Sequence, residues 1–537
     1  MKSYVQICIR WTVSIYFLFG SIAVIQGQIH YVNHAAAGLL NGSSWTDAYT
    51  DIQSAIDVAS AGDSIFVAAG IYLPTHTHLG DSGRHSTFYI NKSIQLYGGF
   101  SGKPGTEGGF TEHNVTTNLT VLSGDLGLPI VDSDNAFHVV YLDHVSDTTR
   151  IDGFTITHGN GVGGVGFEAY GAGIYNNGDG GRSNPTISNC IIRDNRAQEA
   201  GGGMTNQAEN GGIASPVLIN CSFISNLASG GGGLNIYTDT DGEANPEMIG
   251  CKFMGNSGPT AGGGGIQLIA HSSICSPKLI NCIVTGNHSP TSGALASIVT
   301  GTGISNIEII NSAFSGNTGG SMRLVDFGAQ TSTVTIRNSI IWGNGGAQAP
   351  STTGYLVDAS HSVIPFGFPG EGNIGLDPMY VSQPPLLDTS HIQGDLHLLP
   401  GSPAFDAGIN ASLPITITTD LDQLPRFVNA TSGGAGIVDI GPYEFQVDLT
   451  AITGLERDAE WSAFPNPVHD AVNVHFNSTA DDGILLLLDA TGKIITRISL
   501  TEGQTDYTID VLSLAQGMYY ICVCKNGQNE IQKILVK

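Results

Sequence analysis

Asn189-Cys-Ile-Ile-Arg-Asp-Asn195 is the stretch that decides the fold, because its pattern returns five times further along the chain. The later copies are Asn220-Cys-Ser-Phe-Ile-Ser-Asn226, Gly250-Cys-Lys-Phe-Met-Gly-Asn256, Asn281-Cys-Ile-Val-Thr-Gly-Asn287, Asn311-Ser-Ala-Phe-Ser-Gly-Asn317 and Asn338-Ser-Ile-Ile-Trp-Gly-Asn344. Their starts lie 31, 30, 31, 30 and 27 residues apart. The small Cys or Ser and the large apolar residue are two apart, so they share one face of a strand. Two residues before each copy stands another apolar residue: Ile187, Leu218, Met248, Leu279, Ile309 and Ile336. The Asn between these runs tolerates a left-handed backbone and bends the chain. Glycine runs follow, at Gly201-Gly-Gly-Met204, Gly231-Gly-Gly-Leu234 and Gly262-Gly-Gly-Gly-Ile266, with a weaker echo at Gly293-Ala-Leu295. They permit a sharp corner before the next inward strand. A period of about 30 residues is longer than a leucine-rich repeat and shorter than a propeller blade. A three-sided coil of parallel strands fits, each coil rising roughly 4.8 Å.

At that rise equivalent residues stack. The second Asn of each copy predicts a structural ladder through Asn195, Asn226, Asn256, Asn287, Asn317 and Asn344, with amides bonding coil to coil. Cys190, Cys221, Cys251 and Cys282 form a column at disulfide spacing. Side chains stacked in parallel do not point at one another, so a column of buried thiols is the expectation. Ser312 and Ser339 continue it. Less regular coils are expected earlier, with strands in Thr87 to Phe100, Thr120 to Ser123, Ala136 to Leu142 and Arg150 to His158. Asp47 to Ser60 is the one amphipathic helix, with Ile52, Ala55, Ile56 and Ala59 on one face. A helix there would cap the open end of the stack.

The chain has 537 residues, 73 of them Gly, with 12% charged and 41% hydrophobic residues and a net charge of −26. That charge repels nucleic acid and anionic lipid. At the start, Lys2 and Arg10 precede and enter an apolar run, Trp11 to Ile25. This reads as a secretory signal over residues 1–27, cut between Gly27 and Gln28. No later stretch is apolar enough to span a membrane, so the mature protein is expected to have no transmembrane segment. Eight Cys include no C-x-x-C pair, only Cys522-x-Cys524.

Phe223-x-x-Asn226, Phe253-x-x-Asn256 and Phe314-x-x-Asn317, with the glycine runs, resemble the repeats of polymorphic outer-membrane proteins. Tyr31-Val-Asn through Trp45, Gln53-Ala-Ile56, Ala61-Gly-Asp and Val67-Ala-Ala-Gly-Ile-Tyr72 look like the amino-terminal cap of bacterial pectate-lyase-like proteins. Ser402-Pro-Ala-Phe-Asp-Ala-Gly408, Asp420-Leu-Asp422, Pro425-Arg426 and Asp439-Ile-Gly-Pro-Tyr-Glu444 resemble the closing segment of choice-of-anchor Q-type surface proteins. The last residues resemble a type A sorting domain of the type IX secretion system, through Phe464-Pro-Asn-Pro467, Val472-x-Val474, Asp489-x-x-Gly492, Leu514-x-x-Gly517-Met-Tyr-Tyr520 and Lys533-Ile-Leu-Val-Lys537. Short alternating strands between Asp-Gly, Thr-Gly and Asn-Gly turns agree with a small sandwich there. The expected fold class is therefore all-β: a right-handed parallel β-helix followed by a small Ig-like β-sandwich. The expected layout is a β-helix over 28–446, with a cap at 28–72, regular coils at 185–345 and a closing segment at 395–446. A linker at 447–460 and a sorting domain at 461–537 follow. The resemblance implies the type IX machinery as a partner and a location at the outer surface of a Gram-negative bacterium, with attachment to cell-surface polysaccharide.

Chemistry is sparse. Gly161-Val-Gly163-Gly-Val-Gly166 matches a dinucleotide pattern but lacks the strand–helix setting that gives it meaning. His76, His78, Asp81 and His85 are metal ligands by type, in a polar segment that reads more simply as a loop. Asp239, Asp241 and Glu243 lack the spacing of a calcium loop and read as an acidic turn. Asp152, in Arg150-Ile-Asp152-Gly-Phe154, is expected to bond backbone at a coil corner. No catalytic set and no cofactor site emerges. The favoured expectation is a non-enzymatic, adhesin-like or structural surface protein that binds glycans. The alternative is a polysaccharide lyase or glycoside hydrolase, with its site on the loops at 159–182 or 236–247. A pair of carboxylates, or an Arg or Lys with a carboxylate, converging in a groove beside exposed aromatics would favour the enzyme.

Overall fold

The computed structural model describes residues 27–537 apart from 79, 81–82, 129–130, 261, 387–393, 400, 428–435, 447–460, 478–482, 490–493, 502 and 526–527. Residues 1–26 of the expected signal, Asp81 and the expected linker at 447–460 thus lie outside the described residues.

Three parallel sheets wind around one core in a β-solenoid of about ten turns. In the coil around the opening stretch, Thr186–Ser188 lies in the first sheet, Ile191–Arg193 in the second and Met204–Ala208 in the third. Asn189 makes the bend between the first two at φ 51°. Asn220, Asn281, Asn311 and Asn338 repeat that geometry, and Gly250 adopts it where the pattern loses its Asn. The in-register pairing stacks Ile187 on Leu218, Met248, Leu279, Ile309 and Ile336. Ile192, Phe223, Phe253, Val284, Phe314 and Ile341 stack likewise on the second sheet, all fully buried. Each such side chain contributes about 1.5–3 kcal/mol of burial.

At the next corner Asn195, Asn226, Asn256, Asn287, Asn317 and Asn344 are buried in one column. Each Nδ2 donates to the next Oδ1, at 3.1, 3.0, 2.9, 2.9 and 2.8 Å along the series. The same oxygen also accepts the backbone N–H of the coil before, as at Asn226 N to Asn256 Oδ1, 3.1 Å. The column satisfies polar groups that would otherwise be costly inside a core. The cysteines beside it are free and buried. Their thiols turn to backbone carbonyls, Cys221 to Ile187 at 3.3 Å and Cys251 to Leu218 at 3.4 Å. Burial pushes the Cys190, Cys221 and Cys251 thiols well up, which leaves them unreactive.

The capping helix is shorter than the periodicity suggests, Ile52–Val58 rather than Asp47 to Ser60. Tyr49 is held extended by backbone bonds to Tyr31 and Asn33, at 2.9 and 2.8 Å. Asp51 then caps the helix by accepting the Ser54 N–H at 2.9 Å. At the other end the chain doubles back. Tyr380, Leu396, Leu398, Ala404 and Ile440 cover the outer residues Ile283, Ala313 and Ile340. The first Asn of three coils grips this closing segment. Asn281 Oδ1 accepts from Arg426 Nη2 at 2.9 Å, Asn311 Nδ2 donates to Asp439 O at 3.2 Å, and Asn338 Oδ1 accepts from Ile409 N at 2.8 Å.

The carboxy-terminal part is a sandwich of two antiparallel sheets. Trp461–Phe464, Ala471–Phe476 and Asp506–Asp510 face Gly483–Asp489, Ile494–Ser499, Gly517–Lys525 and Gln528–Val536. Val472, Val474, Leu485, Leu487, Ile509, Ile521 and Ile534 build its own core. Among the described residues no helix is long and apolar enough to cross a membrane.

Candidate functional site

The third sheet carries the densest chemistry, on the outer face of its amino-terminal half. Strand alternation sends Phe88, Ile90, Val140, Leu142 and Ile174 into the core. It sends Tyr89, Tyr141 and Tyr175 outward in one register column. Their rings follow one another at 6.0 and 5.1 Å between centroids. Two residues on, a parallel column of half-buried side chains runs through Asp143, Asn177, Gln207 and Tyr237.

These columns are tied together. Asp143 accepts from Tyr89 Oη at 2.7 Å and from Asn177 Nδ2 at 3.0 Å. Tyr175 donates to Gln207, whose Nε2 donates to Glu209 at 2.7 Å. Burial, then Asp143, pushes the Tyr89 phenol up to about 12. Burial, then Asp239, does the same to Tyr237. Glu209 is raised by burial and by the charges of Asp179 and Asp239. Tyr141 and Tyr175 are buried and the His76 and His78 rings stack on Tyr89, so the strip presents the half-buried Tyr237, planar amides and crowded negative charge.

A small, partly open cavity lies at one end of the strip. A short hairpin (His76–Thr77 against Ser86–Ile90) and the 3₁₀ turn Gly166–Ala169 enclose it. His78, His85, His138, Arg84 and Glu168 line it, with Phe137, Tyr141 and Phe167. His85 Nε2 meets Glu168 Oε1 at 2.9 Å. Arg84 donates from Nε to Asn135 O at 2.9 Å and from Nη2 to Asn160 O, and lies 4.0 Å over the Phe137 ring. His138 is buried, and burial pushes its imidazole down to about 4.

Of the histidine set read from sequence, His78 and His85 enter this cavity. His76 does not, stacking instead on Tyr89 at 5.5 Å. His138 and Glu168 were invisible as partners, since 83 residues separate Glu168 from His85. Asp239 ends the strand Leu234–Asp239 and accepts from Thr240 N at 2.7 Å, Asp241 lies in the turn, and Glu243 opens the strand Glu243–Ala244 and accepts from Asn245 Nδ2 at 2.7 Å. Gly166 opens a single 3₁₀ turn, not the helix a dinucleotide fingerprint needs.

Asp152 corrects an expectation. Instead of backbone it binds side chains, Ser188 Oγ at 2.5 Å and Asn189 Nδ2 at 2.9 Å, with His113 Nε2 at 3.7 Å. Its sequence position places it in a first-sheet strand, Arg150–Asp152, facing outward beside Ser188 of the next coil. Arg150 Nη1 lies 4.0 Å from its carboxylate and donates to Ser188 Oγ at 3.0 Å. Half-buried Tyr97 precedes Asp152 in the same column.

Residues 462–537 match the family model of the secretion system C-terminal sorting domain. No curated protein matches the chain. Among solved structures, the crystal structure of the pectate lyase Pel9A is similar at 16% identity and a TM-score of 0.43, covering 79% of this chain and 98% of that one. The type IX sorting tail indicates export.

Proposed function

We propose that this chain is a non-enzymatic surface protein that binds neutral glycans along the outer face of its third sheet. The proposal includes the layout in which the signal is cut between Gly27 and Gln28, a β-helix body follows, and the sorting domain delivers it to the cell surface. One observation carries the binding reading: the outward column of Asp143, Asn177, Gln207 and Tyr237, one side chain per coil. Sugar rings stack on aromatic faces through their C–H side, while amides and carboxylates take their hydroxyls. Coils about 4.8 Å apart present these groups at a regular spacing. The charge selects against uronates, because Asp179, Glu209 and Asp239 already crowd one edge.

A glycan array probed with the secreted protein tests this. Neutral oligosaccharides should bind, and Tyr237→Ala with Gln207→Ala should weaken binding about tenfold or more, the loss of a stacking face and an amide pair. Binding confined to polyuronates, or untouched by these changes, would overturn it.

A second reading, a polysaccharide-cleaving enzyme, is favoured by one observation. Arg150 and Asp152 converge at 4.0 Å beside Tyr97. Against it, the Asp152 side chain is buried and already holds Ser188 and Asn189. Release of reducing ends from a polysaccharide panel, lost in Asp152→Asn, would establish the enzyme instead.

A further inference from the structure

Two histidine nitrogens in the cavity at the end of the strip, His78 Nε2 and His138 Nε2, are buried and have no hydrogen-bond partner among the described residues. His138 is fixed from behind. Its Nδ1 lies 3.1 Å from the carbonyl oxygen of Gly171. A carbonyl only accepts, so Nδ1 carries the hydrogen and Nε2 presents a bare lone pair. An imidazole back-bonded to a carbonyl in this way is the form in which histidine ligates metals. The ring is 5% exposed and packs between Phe167 and Tyr141, at 5.8 and 5.6 Å, so its direction is set before any ligand arrives.

His78 approaches from the hairpin, its ring stacked 4.1 Å from Tyr89. His85 and Glu168 close the same space. Three imidazoles and one carboxylate suit zinc, copper or nickel, whereas calcium and magnesium take oxygen ligands. The nearby cation, Arg84, is held by the Asn135 and Asn160 carbonyls and faces both Glu168 and Asp134.

We propose that this cavity binds a divalent transition-metal ion through His78 Nε2 and His138 Nε2, with His85 or Glu168 completing the site when their mutual hydrogen bond opens. Among the described residues no three ligating side chains already surround one point. Binding therefore draws His78 of the hairpin toward His138, which stands just before the strand Val140–Asp143. The ion would staple two segments that are far apart in sequence over the tyrosine column.

The probe is zinc alone, titrated calorimetrically into tag-free secreted protein stripped with a chelator, with thermal melts run in parallel. One zinc per chain and a zinc-dependent rise in Tm are expected. His78→Ala should weaken binding by about tenfold or more and abolish the rise. His138→Asn should do the same, and because it alters a packed ring its fold is checked by circular dichroism. If it fails to fold, His78→Ala carries the test alone. His76→Ala, outside the cavity, should leave zinc binding unchanged, and calcium should not bind. No zinc binding below about 1 mM, the range of adventitious surface contact, overturns the site. Wild-type affinity in His78→Ala, or an equal loss in His76→Ala, overturns it as well.

Discussion

Asn256 sits mid-column in the buried ladder, where five hydrogen bonds converge on one side chain and its backbone N–H. Its Nδ2 donates to Phe223 O and to Asn287 Oδ1, both at 2.9 Å. Its backbone N–H donates to the same Asn287 oxygen, and its Oδ1 takes two N–H groups from Asn226. Asn256→Ala removes the side-chain bonds and strands buried donors above and acceptors below, which should cost about 2–4 kcal/mol. The other Asn column behaves differently. Asn220 is exposed and is there for its backbone, at φ 52°, so Asn220→Gly should be nearly neutral, as the natural Gly250 one coil on implies. Urea unfolding of the two variants checks the contrast, and a similar cost for both would contradict the division of labour. This distinction was legible in sequence because the pattern separates the two Asn by a fixed six positions, and only the first is ever replaced by Gly. The histidine cavity was not legible. His138 and Glu168 belong to no repeated pattern, and strand register alone brings them to His85.

Among the elements, the closing segment holds the most unusual interior. Arg426 is fully buried, with Nη2 bonded to Asn281 and to Gly441 O at 2.6 Å and Nη1 3.6 Å from Glu444. Asp439 takes the N–H groups of Asp406 and Phe445, yet burial pushes it up, to about 7. Burial, then the Asp439 charge, raises Glu444 also. One guanidinium thus serves two buried carboxyls, and they hold protons that the unfolded chain has already released. Such groups stabilise the fold below the ordinary carboxylate range, and the contribution fades as pH rises through about 7. Thermal stability of the closing segment, followed by hydrogen exchange at its backbone amides, should fall between about pH 5 and about pH 8. Glu444→Gln should flatten that fall. A variant with the wild-type slope would show that these carboxyls do not titrate there. The residues of this segment could be picked out by resemblance, but its fold-back onto coils 71 to 145 residues earlier could not, since no local periodicity encodes a contact at that separation. The helix start is hidden from the sequence for a related reason. Its amphipathic face was readable, while the bonds that hold Tyr49 extended come from the first strand.

At the scale of the whole molecule, two cores share no residue. The solenoid core runs from Val32 to Ile364, and the sandwich core from Trp461 to Val536. Removing the sandwich therefore takes away none of the columns that hold the body together. The repeat made the body readable from sequence, since each coil must bury its inward face against identical neighbours. The sandwich was readable from turn chemistry and the sorting-domain resemblance together. Chains truncated before residue 461 should fold to the same parallel-β body, with an unchanged circular dichroism spectrum and melting behaviour. They should accumulate in the periplasm, while the full-length protein reaches the cell surface or medium, its mature amino terminus at Gln28. Cell fractionation, surface proteolysis and terminal sequencing read these outcomes separately. A truncated body that still reaches the surface would remove the export role from the sandwich. A truncated body that fails to fold would instead show that the two cores depend on each other, against the separation of their packing.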